Sequence, residues 1–294
     1  MKIGIVSGEF PPMRGGVGDF TRELSNALAH NHHEVYLLLP DGSEWDHDLP
    51  NVSVSSQIKK WGWKTATTMT RWAESEHLDV INLQYQTAAY NMHLAINLLP
   101  GRLGSAPLVV TFHDLNPPYL FPKAGWLRNA VVTRLARRAS GVIVTNQEDE
   151  KKLCDLKVSL ARIPIGSNIP CAPPEDFDAI KFRAGIGVEP QDLLLAYFGF
   201  LNQSKGGDVL VKTLNTLRDH GVPAKLLLIG GRTGSSDPTN RAFADHIDTM
   251  ISRMGLSEMV LMTGYVPAEQ VSAALLSADI CVLPFRDGIS LRRG

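Results

Sequence analysis

Cysteine is scarce: Cys154, Cys171 and Cys281 are the only three in 294 residues. They form no even disulfide framework and their separations match no metal-ligand spacing, so a reducing, cytoplasmic setting is expected. Excess charge of either sign is also lacking. The chain carries 29 Lys and Arg against 30 Asp and Glu, a net charge of −1. No global field points to nucleic acid, and no nucleic-acid partner is expected. No apolar run reaches the roughly 18 residues of a membrane span. The apolar part of MKIGIVSGEFPP is too short for a signal peptide and lacks a small-residue cleavage site.

What is present is the composition of a globular protein: 44% hydrophobic and 20% charged residues, with a mean hydropathy of −0.04. The length suits about two domains. Short apolar runs alternate with amphipathic segments. Strands are expected at Lys2 to Ser7, Glu34 to Leu39, Val52 to Ser55, Val80 to Gln84, Leu108 to His113, Gly141 to Asn146 and Arg162 to Ile165. Helices are expected at Gly18 to His30, Trp61 to Glu76, Ala88 to Leu99 and Leu127 to Ala139. The first of these would place Phe20, Leu24, Ala27 and Leu28 on its apolar face. Pro164 to Pro174 holds four prolines and reads as a linker. The pattern then restarts, with strands from Leu193, Lys225, Met259 and Asp279 and helices from Gly206, Asn240 and Ala268.

This alternation implies right-handed crossovers and parallel sheets covered on both faces. The fold class expected is α/β, with two Rossmann-like doubly wound domains at 1–168 and 180–294. The second shows only four strands and is expected to be incomplete.

Ligands in such sheets bind at the carboxyl ends of strands. Three loops stand there. Gly15-Gly16-Val17-Gly18 lies between the first strand and first helix, where glycines admit a close ligand and the helix N-terminus offers N–H groups to an anion. It lacks the G-x-G-x-x-G spacing of a dinucleotide fingerprint. His113, beside Asp114, ends an apolar strand. Lys205-Gly206 opens a helix after the polar loop from Gly199, an arrangement that makes sense if lysine and N–H groups jointly hold a phosphate. A last segment, Pro284 to Gly294, combines Asp287, Ser290, Arg292 and Arg293. Carboxylates there suit sugar hydroxyls and arginines suit phosphate oxygens. His30, His32 and His33 cluster where a helix runs into a strand and are read as structural, not as a metal site. Trp61, Trp63 and Trp72 with Lys59, Lys60, Lys64 and Arg71 form a basic aromatic segment. It packs on the sheet as an amphipathic helix or touches a membrane surface.

The order of these motifs resembles glycosyltransferase family 4 along nearly the whole chain. GGVGDFTRELSNAL is similar to the family's N-terminal glycine loop and helix, and HEV to its entry into the second strand. VVTFHD is similar to its T-x-H-D strand end, and FGFLNQSKG to its donor-phosphate loop. LLLIGG followed by TGYVPAEQVSAALLSADICVLPF is similar to its nucleotide-to-sugar stretch. The resemblance implies a GT-B fold and a retaining transfer of sugar from a nucleotide-diphosphate donor, lying between the two domains, to a glycan or lipid acceptor. No metal or other cofactor is expected. Gly15 and Gly16 would approach the donor, and His113 would meet a donor-sugar hydroxyl. Lys205 would stabilise the leaving diphosphate, and Gly264, Tyr265 and Val266 would hold the base. Asp287 would stand for the first acidic residue of E-x7-E, with Ser290, Arg292 and Arg293 nearby. Phe200 replaces the arginine often found after the phosphate-loop glycine. The second acidic residue would fall one position past Gly294, which suggests a truncated chain. A non-catalytic nucleotide-binding module and a nucleotide-sugar epimerase are the competing expectations.

Overall fold

The computed structural model describes all residues except 14, 46–48, 101–102, 104–105, 116–124, 168, 202, 232–237 and 287–294, and gives 125–128 and 238–240 as helical backbone alone. It divides into two compact units, Met1–Asn168 and Ile169–Ser290.

The first unit runs β1 (Lys2–Ser7), α1 (Gly16–His30), β2 (Glu34–Pro40), β3 (Val52–Ile58), α2 (Thr65–Ser75), β4 (Val80–Tyr85), β5 (Leu108–Phe112), α3 (Gly125–Arg138), β6 (Gly141–Val144), α4 (Gln147–Leu153) and β7 (Leu160–Arg162). Its seven strands are parallel, in the order β3-β2-β1-β4-β5-β6-β7. Strand order reverses between β1 and β4, so the crevice at their carboxyl ends is where such a sheet receives ligands. Ile5, Val6, Leu37, Leu38, Ile81, Leu83, Val110 and Phe112 are fully buried, as strands covered on both faces require. Each contributes about 1.5–3 kcal/mol of burial.

Two expectations are corrected. The buried ridge of α1 is Val17, Gly18, Thr21, Ser25 and Ala29, while Leu24 and Leu28 pack at its margin. Small residues let the helix lie close to the sheet. The two hydroxyls are satisfied four residues back, on the carbonyls of Val17 and Thr21, each at 2.7 Å. The helix expected from Ala88 to Leu99 is instead two 3₁₀ turns, Ala88–Tyr90 and Leu94–Leu98. Between them Asn91 and Met92 take φ of 51° and 55°, which no α-helix accommodates. Tyr90 pins the first turn to the sheet by donating to Gln84 O at 2.8 Å.

The second unit runs α5 (Ala179–Gly185), β8 (Leu193–Phe198), α6 (Gly207–Asp219), β9 (Ala224–Ile229), α7 (Pro238–Arg253), β10 (Val260–Gly264), α8 (Ala268–Leu276) and β11 (Ile280–Cys281). Four parallel strands lie in the order β10-β9-β8-β11. The reversal falls between β8 and β11. On α6, Leu210, Val211 and Leu214 are buried against Ile247 and Ile251 of α7. Asp279, just before β11, is structural. Its carboxylate accepts from the Leu194 N–H at 2.7 Å and from Arg183 at 2.9 Å. The backbone donor first, then the guanidinium, holds its carboxyl below the usual range.

Candidate active site

In the first unit, the chain leaving β1 carries Glu9, which is 4% exposed. Its Oε1 accepts from the N–H groups of Val17 and Gly18 at 2.9 and 3.3 Å. Two donors at the α1 N-terminus are therefore already used, which corrects the expectation that this helix end is open to an anion. Burial pushes the Glu9 carboxyl up, against the pull of those two donors. The glycines divide accordingly. A Cβ on Gly15 would stand 2.2 Å from Glu9 Oε1, and one on Gly18 would stand 3.0 Å from Phe10 Cα. A Cβ on Gly16 would meet nothing within 4 Å. Gly15 makes room for the carboxylate, and only Gly16 leaves open space for a ligand.

His113 lies just past β5 and is buried. Its backbone N–H donates to Tyr85 O at 3.0 Å, and Nε2 lies 2.9 Å from Gln84 Oε1. Phe20 of α1 packs edge-on against its ring, with centroids 4.9 Å apart. Burial lowers the imidazole pKa to about 4, so the ring is neutral at physiological pH. Glu9 and Gln84 were not singled out in the sequence. A Glu two residues past an apolar strand, and a Gln inside VINLQY, were the available signals.

In the second unit, Gly199 ends β8, and Tyr197 anchors the loop by donating to Phe200 O at 3.0 Å. Lys205 folds back over this loop: a Cβ on Gly199 would lie 3.1 Å from its Nζ. Gly206 caps α6 in the left-handed region, φ 72°, with no side-chain cap. A Cβ there would stand 2.1 Å from Pro284 O, so this glycine lets the β8 and β11 loops meet. Arg286 ties them further, its N–H on Ser204 O at 2.9 Å and its guanidinium on the buried Asp208. Among the described residues no acceptor pairs with the N–H groups of Gly207 or Asp208. Those donors and the Lys205 ammonium stand at the reversal point of the sheet, an arrangement suited to an anion.

Gly264, at the end of β10, has φ 66° and open space above it. Thr263 Oγ1 accepts from Gly230 N–H at 3.1 Å, which joins the β9 and β10 ends. Tyr265 is 63% exposed, while Val266 packs on the core. Lys205, Gly264, Tyr265 and Val266 thus share one sheet edge, and Gly16 and His113 share the other unit's. Asp287, Ser290, Arg292 and Arg293 lie outside the described residues. The described residues hold no group of three or more His, Cys, Asp or Glu placed to bind a metal ion. The tryptophans divide: Trp61 and Trp72 are buried, and Trp63 is 61% exposed.

Two doubly wound units, each with ligand-facing loops at its strand reversal, define a GT-B-type glycosyltransferase architecture. Comparison with known proteins agrees. The model of Glycosyltransferase Family 4 matches residues 14–168, and that of Glycosyl transferases group 1 matches residues 178–289. The chain belongs to glycosyltransferase family 4 and is a transferase enzyme by that membership. A GDP-mannose-dependent alpha-(1-6)-phosphatidylinositol monomannoside mannosyltransferase of Mycolicibacterium smegmatis is 23% identical over 96% of this chain and 72% of its own length. A D-inositol 3-phosphate glycosyltransferase of Nocardia farcinica is 25% identical over 51% of this chain and 34% of its own length. Among solved structures, sucrose-phosphate synthase from Thermosynechococcus elongatus superposes with a TM-score of 0.75, at 19% identity over 97% of this chain and 75% of that one. Anabaena HepE in complex with UDP and glucose gives 0.70, at 19% identity over 98% and 76%.

Proposed function

We propose that this enzyme is a retaining transferase that moves a sugar from a nucleotide-diphosphate donor to a glycan or lipid acceptor, without a metal cofactor, in the cytoplasm. The observation that carries this reading is the second unit's strand-end loop: the Lys205 ammonium over Gly199, and two N–H groups at the start of α6 that no acceptor among the described residues takes. Departure of a nucleoside diphosphate builds negative charge on its phosphate oxygens. Fixed cations and helix N–H groups placed there lower the barrier. Tyr265 and the backbone at Gly264 would receive the base. The neutral His113 and the open Gly16 would meet the sugar, which is uncharged. The solved HepE complex with UDP and glucose and the GDP-mannose dependence of the mycobacterial relative support a nucleotide sugar of either base.

Mass-spectrometric assay across UDP- and GDP-sugars with lipid and glycan acceptors tests this. Transfer with retained anomeric configuration is expected. Absence of both transfer and donor hydrolysis with every donor would overturn it.

A lipid acceptor is favoured by one surface. Trp63 is exposed at 61%, in contact with His93 and next to the exposed Leu94. Lys59, Lys60, Lys64 and Arg71 are exposed on the same segment, and no helix among the described residues is long and apolar enough to cross a membrane. A cationic rim around an indole suits peripheral contact with an anionic bilayer. Co-sedimentation with vesicles containing phosphatidylglycerol, lost in Trp63→Ala and absent with phosphatidylcholine alone, is the expected result.

A further inference from the structure

A line of buried polar side chains crosses the first unit's sheet beneath His113. Asn82 and Gln84 are two residues apart on β4, and Thr111 and His113 are two apart along β5 and its end. Their exposures are 8%, 0%, 3% and 8% in that order. Ser7, opposite Gln84 on β1, adds a further buried hydroxyl to this face, and so many polar groups beneath one imidazole need a reason. Buried polar groups persist when every member is paired.

The pairing has a direction. Asn82 Nδ2 donates to Thr111 Oγ1 at 3.0 Å and reaches Val109 O at 3.5 Å. A backbone carbonyl can only accept, so the Asn82 atom toward Val109 O is the amide nitrogen, while Oδ1 lies toward Gln84 and 3.4 Å from Thr111 Oγ1. The Gln84 amide nitrogen then donates to Asn82 Oδ1. That leaves Gln84 Oε1 toward the imidazole, 2.9 Å from Nε2. An oxygen acceptor there requires a proton on Nε2. In a neutral ring, Nδ1 then carries the lone pair. No group among the described residues pairs with Nδ1.

We propose that Gln84 is a positioning residue: anchored through Asn82 to Thr111 and Val109 O, it holds His113 as the Nε2–H tautomer and leaves Nδ1 to accept a hydrogen bond from a sugar hydroxyl. This rests on the transferase reading for the identity of the ligand, but the tautomer itself does not. A ring with Nδ1 as acceptor selects a donor group, so a hydroxyl fits and a phosphate oxygen does not. The opposite tautomer would present an N–H and invite an anion. The ladder therefore assigns the first unit's site to neutral sugar and leaves charge to the second unit.

The test uses the full chain with ¹⁵N-labelled histidine. Long-range ¹H–¹⁵N correlation at neutral pH reads which nitrogen of His113 is protonated. The Nε2–H form is expected in the wild type, and a mixture in Gln84→Leu. Calorimetric titration should show Gln84→Leu binding the UDP-sugar or GDP-sugar about tenfold more weakly, from one lost hydrogen bond, with the affinity for UDP or GDP alone held. If leucine prevents folding, Gln84→Glu is the second variant. It keeps an acceptor at Nε2 and hence the tautomer, while its charge favours imidazolium and raises the His113 titration midpoint. Its loss of sugar-nucleotide affinity should be smaller than that of the leucine variant. An Nδ1–H wild type, an unchanged tautomer in Gln84→Leu, or a changed tautomer with unchanged sugar-nucleotide affinity would each overturn the proposal. A wild type that binds no nucleotide sugar overturns the transferase reading instead, and the tautomer spectrum still decides the role of Gln84.

Discussion

Each unit sets a helix N-terminus against the carboxyl end of its first strand, but the two helices are finished in opposite ways. In the first unit, α1 is closed from within: Glu9 takes the N–H groups of Val17 and Gly18. In the second, α6 begins at Gly206 with no side-chain cap, the Gly207 and Asp208 N–H groups have no acceptor among the described residues, and the Lys205 ammonium lies by Gly199. The same supersecondary unit thus gives one helix start occupied by a carboxylate of its own unit and one whose first N–H groups meet no acceptor among the described residues.

Substitution at Gly206 carries the largest expected effect. Ala there must accept φ 72° and a Cβ 2.1 Å from the Pro284 carbonyl oxygen. The expected cost is about 3 kcal/mol, combining left-handed strain and overpacking. Gly187→Ala, at φ 75° with nothing within 4 Å, is the control and should cost about 1 kcal/mol from strain alone. Denaturant unfolding followed in each variant separates the two. Equal losses would mean that the meeting of the β8 and β11 loops carries no weight.

His113 provides the next effect, in pH. Its folded-state pKa of about 4 lies below the ordinary imidazole value of 6.5. Between those values the unfolded chain binds more protons, so stability is fully present above about pH 6.5 and falls as the solution is acidified toward pH 4. The loss expected is roughly 3 kcal/mol. His113→Gln should flatten that part of the stability-pH curve, measured by urea unfolding at intervals of pH. An identical acid limb in both proteins would contradict a buried, neutral imidazole.

Lys205→Ala should weaken UDP or GDP binding on the order of 10- to 100-fold, the loss of one charge-assisted contact, with the unfolding midpoint little changed. Unaltered affinity in calorimetry would remove the lysine from nucleotide binding. The smallest contrast lies within one glycine pair. Gly15→Ala crowds the buried Glu9 carboxylate and should cost about 1–2 kcal/mol. Gly16→Ala points into open space and should cost under about 0.5 kcal/mol, while lowering nucleotide-sugar affinity. A Gly16 variant with full affinity would show that the open space above it is not used.

Much of the strand-helix alternation was legible, because apolar runs such as LVVTF and LLLAYF have few alternatives to a buried strand. The positions of His113 and Lys205 at strand ends followed from the same pattern. The stretch from Ala88 to Leu99 misled, since its composition suits a helix while Tyr90 is held by a carbonyl of β4. The basic tryptophan segment was ambiguous for a similar reason. Trp61, Trp63 and Trp72 are chemically alike, and only packing decides that two are buried and one is exposed.

Local chemistry fixed the alternating units, the glycines at their loops and the residue types at the strand ends, because backbone preference and hydrophobic period act between neighbours in the chain. The tertiary structure decided which helix end stays open, which glycine faces a side chain and which imidazole nitrogen carries the proton. Those outcomes depend on partners such as Glu9 for Gly18, Gln84 for His113 and Pro284 for Gly206. Such partners are brought together across strands and loops, where no local period can announce them.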